Sequence, residues 1–216
     1  MLSVVAHFRD VGLIGNNNKN TNSSDILETG RKVVYIAPMK ALAQEVVEKF
    51  SSKLKSLRLI VRELSGDMQL TRSEAEAANV IVTTPEKWDV VTRKSGTDEN
   101  ALGNQCGILI IDEVHLLADE RGAVIESVVS RLHRLVESRQ RQVRIVALSA
   151  TLPNYDDVAN FLQVPERGIF YFGPEHRPVP LQQTFVGLAV NSKNRDRKST
   201  RLNSSHSIAS RMPSSA

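Results

Sequence analysis

The sequence predicts an α/β fold built on a mostly parallel, doubly wound sheet with helices on both faces. The main observation is that short apolar runs, suited to strands buried on both sides, alternate with longer segments whose apolar residues recur at helical spacing. In addition, 216 residues with 41% hydrophobic and 24% charged side chains suffice for one domain with a sizeable core. Ligands bind at the carboxyl ends of the strands in such sheets. The residues that follow each predicted strand are therefore the first candidates for chemistry.

The elements can be placed in chain order. Met1 to Val11 has the apolar spacing of a helix, whereas residues 12–30 have almost nothing to bury and predict a flexible loop. From Lys32 onward the strand and helix patterns alternate. The predicted strands are Val33–Ala37, Leu57–Leu64, Val80–Thr83, Ile108–Ile111, Val143–Leu148 and Ile169–Phe172. The best-marked helical faces run from Met39 to Leu54 and from Val124 to Leu135.

The segment Ile108 to His115 carries the strongest chemical signal. Asp112 and Glu113 directly follow a buried strand, where two acids are costly to desolvate unless a cation is near. A nucleotide-bound Mg²⁺ would meet this need, with Asp112 holding the ion through water and Glu113 orienting the attacking water or accepting its proton. The alternative is that the two acids only cap the following helix.

A second polar strand end is Thr83 to Asp89. Thr84 is placed as the N-cap of a helix and Pro85 as its first residue. The free N–H groups of such a helix start can bind an anion, most simply a phosphate of a nucleic-acid backbone. The alternative is a well-capped helix without a ligand.

Three further predicted strands end in polar or turn-forming residues. Pro38 and Lys40 stand at the start of a helix, where Lys40 either contacts phosphate or is merely solvated. Gly66 lies in a turn after the second predicted strand. Ser149 and Thr151 carry hydroxyls that can bind a neighbouring carboxylate or histidine and so sense a bound nucleotide, or that simply open the next helix.

In this order, these segments resemble motifs Ia, Ib, II and III of the superfamily-two helicases. Their sequences are most similar to those of the double-cassette branch of the Ski-like helicases. The segments that carry the resemblance are Ala37–Glu45, Ser65–Asp67, Thr83–Asp89, Asp112–His115 and Ser149–Thr151. The similarity runs from Lys32 to about Gly187. It implies a RecA-like P-loop NTPase domain of a helicase that couples ATP hydrolysis to translocation along nucleic acid and its unwinding.

The resemblance also implies roles for individual residues. Asp112 and Glu113 would be catalytic, with Mg²⁺ held by Asp112 through water. Coupling of hydrolysis to strand movement would fall to His115, Ser149 and Thr151. The implied nucleic-acid contacts are Pro38, Lys40, Gly66, Thr84, Pro85 and Lys87. The implied cofactors are ATP and Mg²⁺, and the implied partners are DNA or RNA and a larger helicase-containing complex in the nucleus or cytosol.

One part of the family pattern is missing, because the sequence contains no Gly-Lys dipeptide and hence no G-x-x-x-x-G-K-[ST] phosphate-binding loop. We expect residues 1–187 to be a partial ATP-binding domain that begins just after this loop and ends near a connector, Arg177–Leu181, to a second RecA-like domain. Alone it should hydrolyse little or no ATP. The alternatives are a non-catalytic module that binds nucleic acid or protein, and a different class of P-loop enzyme.

Charge and cysteine content narrow the function classes. The formal charge is +4, but residues 188–216 alone carry +5, so the predicted domain is nearly neutral. That Ser-rich tail is expected to be disordered and to be a non-native read-through or adaptor sequence, with a basic nucleic-acid-binding tail as the alternative. Cys106 is the only cysteine, which excludes an internal disulfide and a Cys-rich zinc site. No apolar run approaches the roughly 20 residues that span a bilayer, so no membrane role is expected.

Overall fold

The computed structural model describes residues 31–66, 70–96, 98, 101–139, 143–150, 152–182 and 184–185. Several predictions from the sequence lie outside these residues. They are the helix from Met1 to Val11, the loop 12–30, the tail 188–216, and the residues Asp67 and Thr151.

The described strands form one five-stranded sheet with the order β2-β3-β1-β4-β5. Every neighbouring pair in it is parallel, which confirms the predicted α/β class. The strands are β1 Lys32–Ile36, β2 Val61–Leu64, β3 Val80–Thr83, β4 Cys106–Ile111 and β5 Arg144–Ala147.

Helices cover both faces of the sheet, as a doubly wound fold requires. They are α1 Lys40–Leu54, α2 Arg72–Ala77, α3 Pro85–Lys94, α4 Gly122–Arg139 and α5 Tyr155–Phe161. Alternate residues of β1 enter two separate buried clusters. Val33 and Tyr35 share one cluster with residues of α1, whereas Val34 and Ile36 share the other with Trp88 of α3 and with residues of α4 and α5.

The strand register aligns the carboxyl ends of all five strands. Leu64 pairs with Thr83, Thr83 with Ile36, Ile36 with Ile111, and Ile111 with Ala147. Each of these is the last residue of its strand. The segments that follow the strands therefore emerge side by side along one edge, which we call the strand-end row.

Two strand predictions need correction. The second strand begins at Val61 rather than Leu57, because Lys55–Leu57 forms a 3₁₀ turn and Arg58 adopts a left-handed conformation with φ 57°. The predicted strand Ile169–Phe172 is wrong, because these residues form no strand. The three aromatic residues among them are at least 71% exposed. An apolar run becomes a strand only when it finds a neighbour to pair with, and this run pairs with none of the described strands.

The described residues divide into two compact units, one ending at Glu166 and one beginning at Arg167. Within the second unit, the ring of Phe172 meets His176 edge-on at 5.5 Å between centroids, beside a short 3₁₀ turn, Pro174–His176. In the part of the chain that the structure describes, no helix is both long and apolar enough to cross a membrane.

Candidate functional site

The carboxylate of Asp112 is held in place from three directions at the end of β4. Its backbone N–H donates to the carbonyl of Ile36 at 3.0 Å, which extends the pairing of β4 with β1 by one residue. Its Oδ1 accepts the backbone N–H of Glu113 at 3.0 Å, and its Oδ2 accepts the hydroxyl of Tyr35 at 2.6 Å. Asp112 therefore has a fixed orientation at the β4 position of the strand-end row, next to β5 at its end.

Tyr35 is a site residue that the sequence interpretation missed. It sits in a buried strand between aliphatic neighbours, Val34 and Ile36, and it pairs with Ile110, so Asp112 follows two residues further along on the same face. Burial, and then the hydrogen bond to Asp112, raise the pKa of the Tyr35 phenol well above its usual value. The available signal was the hydroxyl itself, because a buried tyrosine needs a partner for its O–H.

Glu113 does not cap the helix that follows it. It adopts a left-handed conformation, φ 52° and ψ 49°, at the start of the 3₁₀ helix Val114–Ala118, and its side chain makes no capping hydrogen bond. Its Oε2 is buried and lies 3.2 Å from Nδ1 of His115, but it forms no hydrogen bond with the residues that the structure describes. Left-handed conformations of residues other than glycine are costly and cluster at functional sites. These features favour the catalytic interpretation of Glu113 over the capping one.

The end of β5 joins the same group. The N–H of Val114 donates to the carbonyl of Leu148 at 2.9 Å, and this bond ties the segment after β4 to the end of β5. As a result, Oγ of Ser149 lies 3.4 Å from Nδ1 of His115, at the outer limit of hydrogen bonding. Glu113 and Ser149, from two strand ends, thus both lie close to Nδ1 of His115.

The start of α3 lies at the end of β3, two strands away from β4. Thr84 is the N-cap and Pro85 the first helical residue, as predicted, although the Thr84 side chain makes no capping hydrogen bond. Pro85 is buried, whereas Lys87, in the first turn, is partly exposed. The hydroxyl of the preceding residue, Thr83, is committed to structure, because it donates to the carbonyl of Leu64 at 2.7 Å.

The start of α1 lies beside it. The N–H of Ala37 donates to the carbonyl of Thr83 at 2.8 Å, which brings the segments after β1 and β3 together. Pro38 is buried, and Lys40, the first residue of α1, is exposed. Gly66, after β2, is exposed with open space where a side chain would stand. The structure therefore brings the predicted contact residues to neighbouring positions on the strand-end row.

Arg121 is the second residue that the sequence interpretation missed. Its Nη1 donates to the backbone carbonyl of Pro38, and its Nε lies 3.4 Å from Oε1 of Glu86 in α3. No motif position or periodicity marks this arginine in the sequence. Only the fold shows that it connects the segment after β1 to the first turn of α3.

The donor set at Asp112 and Glu113 suits Mg²⁺. Within the described ranges, no three His, Cys, Asp or Glu side chains converge into a protein-only metal site. Mg²⁺ does not require such a site, because it is commonly bound by one or two carboxylates together with water and substrate phosphates. The buried Oε2 of Glu113 lies 3.2 Å from Nδ1 of His115 but accepts no hydrogen bond from the described residues, which leaves acceptor capacity beside the fixed carboxylate of Asp112.

Residues 15–158 match the family described as "DEAD/DEAH box helicase". The chain is 57% identical over 162 residues to the "DExH-box ATP-dependent RNA helicase DExH14" of Arabidopsis thaliana, covering 74% of this chain and 7% of that protein. It is 54% identical over 178 residues to the "RQC trigger complex helicase SLH1" of Saccharomyces cerevisiae, covering 82% and 9%. It is 57% identical over 163 residues to the Homo sapiens "Activating signal cointegrator 1 complex subunit 3", covering 75% and 7%. The chain thus spans less than a tenth of the length of these curated relatives.

Solved structures agree on the fold. The helicase MrfA matches with a TM-score of 0.55 at 19% identity, covering 65% of this chain and 23% of that one. The Mycobacterium smegmatis helicase Lhr, bound to ssDNA and AMP-PNP, matches with a TM-score of 0.50 at 28% identity, covering 62% and 18%. These similarities confirm the predicted helicase-type RecA-like fold.

Proposed function

Because the chain belongs to the DEAD/DEAH box helicase family, as its resemblance to the Ski-like helicases predicted, we propose that it supplies the nucleotide-facing carboxylates and the nucleic-acid contacts of an ATP-dependent helicase. The observation that carries the proposal is the strand-end row. One continuous edge holds Asp112 and Glu113 at one end and the helix starts at Lys40 and Thr84 at the other. A helicase needs the carboxylates and the nucleic-acid contacts on one rigid element, because ATP hydrolysis must change how tightly the nucleic-acid strand is bound.

At the carboxylate end, each acid has a distinct task. Asp112, with both oxygens oriented by hydrogen bonds, would hold Mg²⁺ through water. When bound, Mg²⁺ would neutralise charge that develops on the phosphates of ATP. Glu113, with Oε2 unbonded, would orient the attacking water and accept its proton. The neighbouring His115 and Ser149, together with Thr151, would pass the change at Glu113 to the rest of the sheet edge.

At the helix-start end, the backbone supplies the recognition. The first turn of α3 presents N–H groups that have no partner within the helix, and Lys40 and Lys87 add positive charge nearby. Pro38 and Pro85 fix the entry of the two helices, while the open Gly66 and the uncommitted Thr84 hydroxyl border the same surface. These groups would bind the sugar-phosphate backbone, which carries no sequence information and suits translocation.

We further propose that the chain hydrolyses little or no ATP by itself. The sequence has no Gly-Lys dipeptide, so no loop of the usual pattern cradles the phosphates. Purified chain incubated with ATP and Mg²⁺, with and without RNA, should release phosphate at the buffer rate. Mg²⁺-dependent hydrolysis that is abolished in Glu113→Gln would contradict this part of the proposal.

Binding of single-stranded nucleic acid tests the proposal directly. Fluorescence anisotropy with labelled single-stranded RNA and with DNA of the same sequence, repeated over a range of salt concentrations, gives the affinity and the number of phosphate contacts. RNA is the first probe, because it is the nucleic acid in the name of the Arabidopsis relative. We expect Lys40→Ala to weaken binding and to lower the salt slope by about 1. We expect Thr84→Ala to weaken binding by about fivefold without a change of slope.

The matched control is Lys49→Ala, which removes another exposed lysine of α1, one that lies nine residues beyond the helix start and pairs with Glu45. Its binding should equal that of the unsubstituted chain. Equal losses in Lys40→Ala and Lys49→Ala would mean that diffuse charge, not the strand-end row, holds the nucleic acid. Because the basic tail is common to all variants, its contribution cancels in the comparison.

We also propose that the protein acts within a larger complex in the nucleus or cytosol. Two relatives carry the name of a complex, which supports this, and the single buried cysteine suits a reducing compartment. Affinity purification from cells at endogenous expression, with mass spectrometry of the captured proteins, would test it. Recovery of the protein only as an isolated species would argue against a complex.

A further inference from the structure

Arg121 occupies a junction between three segments of the molecule. Its backbone carbonyl accepts the N–H groups of Val124 at 3.1 Å and Ile125 at 3.2 Å, so its main chain is fixed at the start of α4. From there its side chain reaches the carbonyl of Pro38 and the carboxylate of Glu86. One guanidinium therefore holds the segment after β1 at a set distance from the first turn of α3.

The position of Arg121 is in turn fixed relative to the carboxylate end. A Cβ on the next residue, Gly122, would stand 2.1 Å from the backbone oxygen of Leu117, so the start of α4 packs directly against the 3₁₀ helix that follows Glu113. The N–H of Gly122 also donates to the carbonyl of Asp119 at 2.9 Å. The main chain from Asp112 to Arg121 thus contains a 3₁₀ helix and ends in a turn closed by this bond, which carries the guanidinium at its far end.

We propose that Arg121 is a positioning residue for nucleic-acid binding, one that sets the spacing between the phosphate-binding groups at Lys40 and at the start of α3. This inference rests on the proposed function. We assign Arg121 to positioning rather than to direct phosphate contact because its Nη1 and Nε face Pro38 and Glu86. A planar guanidinium with several donors suits such a two-point contact, whereas the ammonium of a lysine is a point charge that cannot reproduce it.

The affinity for single-stranded RNA and its salt dependence distinguish positioning from direct contact. In the full chain, Arg121→Ala should weaken binding by about fivefold to tenfold, the scale of one ordinary hydrogen bond. The slope of affinity against salt should stay unchanged, because no phosphate contact is lost. The RNA affinity of Arg121→Lys should lie between that of the unsubstituted chain and that of Arg121→Ala. Glu86→Gln keeps an oxygen acceptor but loses the charge, so it should weaken RNA binding less than Arg121→Ala does.

Arg131→Ala is the matched control, because Arg131 also connects α4 to α3, through Asp89 and through Oγ1 of Thr92 at 3.2 Å, but further along both helices. It should lower the melting temperature and leave the RNA affinity unchanged. Hydrogen exchange provides a second readout, with faster exchange expected at residues 38–42 and 84–88 in Arg121→Ala only.

The outcomes separate the two proposals. If the unsubstituted chain binds RNA and Arg121→Ala binds it equally well, the inference is overturned and the proposed function stands. A salt slope that falls by about 1 in Arg121→Ala would show a direct phosphate contact and would also overturn it. If the unsubstituted chain binds neither RNA nor DNA, the proposed function fails, and this inference fails with it.

Discussion

The two ends of the strand-end row are built in different ways. At the β4 and β5 end, a side chain is fixed by another side chain, because the hydroxyl of Tyr35 holds the carboxylate of Asp112 at 2.6 Å. At the β1 and β3 end, backbone groups and the starts of two helices form the surface, and Arg121 joins them from outside. Chemistry on a phosphate requires a carboxylate in one orientation, whereas a grip on a sugar-phosphate backbone tolerates small shifts. The difference predicts that single substitutions affect the two ends unequally.

The largest effect is expected where both ends depend on one turn. Gly122→Ala places a methyl group 2.1 Å from the backbone oxygen of Leu117, so the main chain between the carboxylates and α4 must move. We expect a loss of about 2–3 kcal/mol in the free energy of unfolding, measured by urea denaturation.

The control for this substitution is Gly66→Ala, at a glycine of the same row with no atom within 4 Å of the added methyl group. It should change the free energy of unfolding by less than about 0.5 kcal/mol. Similar losses in the two variants would show that the turn before α4 is not the rigid link between the two ends.

Tyr35→Phe should disturb the carboxylate end alone. It removes the hydroxyl that Asp112 accepts and leaves the packing of the ring against Phe50 intact. The expected loss is about 1.5–2 kcal/mol in the free energy of unfolding, the lower part of the range for a hydrogen bond to a charged group. RNA affinity should not change, because the helix starts at Lys40 and Thr84 keep their positions. A drop in RNA affinity as large as that of Arg121→Ala would mean that the two ends are not separable.

The pH dependence of stability offers a smaller and more specific test of the same bond. Burial, and then the bond to Asp112, raise the pKa of Tyr35 above its unfolded value of about 10, so the folded state keeps a proton that the unfolded state has lost. This contribution to stability is complete below about pH 10 and is lost as the pH rises through the folded pKa. The stability advantage of the unsubstituted chain over Tyr35→Phe should therefore shrink by about 1 kcal/mol from pH 10 to pH 11.

Stability must be compared with that of Tyr35→Phe because another buried group titrates in a similar pH range, and its effect on stability as the pH rises has the opposite sign. The ammonium of Lys32 donates to the carbonyls of Glu76 and Ala78, and its burial, opposed by Glu76, lowers its pKa. The unfolded state then binds the extra proton, so this contribution favours folding as the pH rises. Lys32 is common to both proteins and cancels in the difference. An unchanged difference between pH 10 and 11 would argue against a buried Tyr35 hydroxyl on Asp112.

How much the sequence could predict depended on whether the signal was local. The strand before Asp112 and the helix start at Thr84 and Pro85 were predictable, because a few neighbouring residues suffice to indicate a buried strand or a proline at the first position of a helix. The bonds of Tyr35 and Arg121 were not, because their partners lie 77 and 83 residues away along the chain. The false strand at Ile169–Phe172 has the same origin, since its composition suits a strand but pairing depends on distant residues.

The smallest expected effect concerns two threonines that occupy the same position in their helices. Thr71, the N-cap of α2, accepts the N–H of Glu74 at 3.3 Å, and the Glu74 side chain accepts the N–H of Thr71 at 3.0 Å, which completes a capping box. Thr84, the N-cap of α3, makes no such bond. We expect Thr71→Ala to cost about 1 kcal/mol in the free energy of unfolding and Thr84→Ala less than about 0.5 kcal/mol. Since only Thr84 borders the proposed nucleic-acid surface, its replacement should weaken RNA binding while Thr71→Ala leaves binding unchanged. The reverse result, a costly Thr84→Ala with normal binding, would show that Thr84 serves the helix and that the helix-start end lacks a hydroxyl contact.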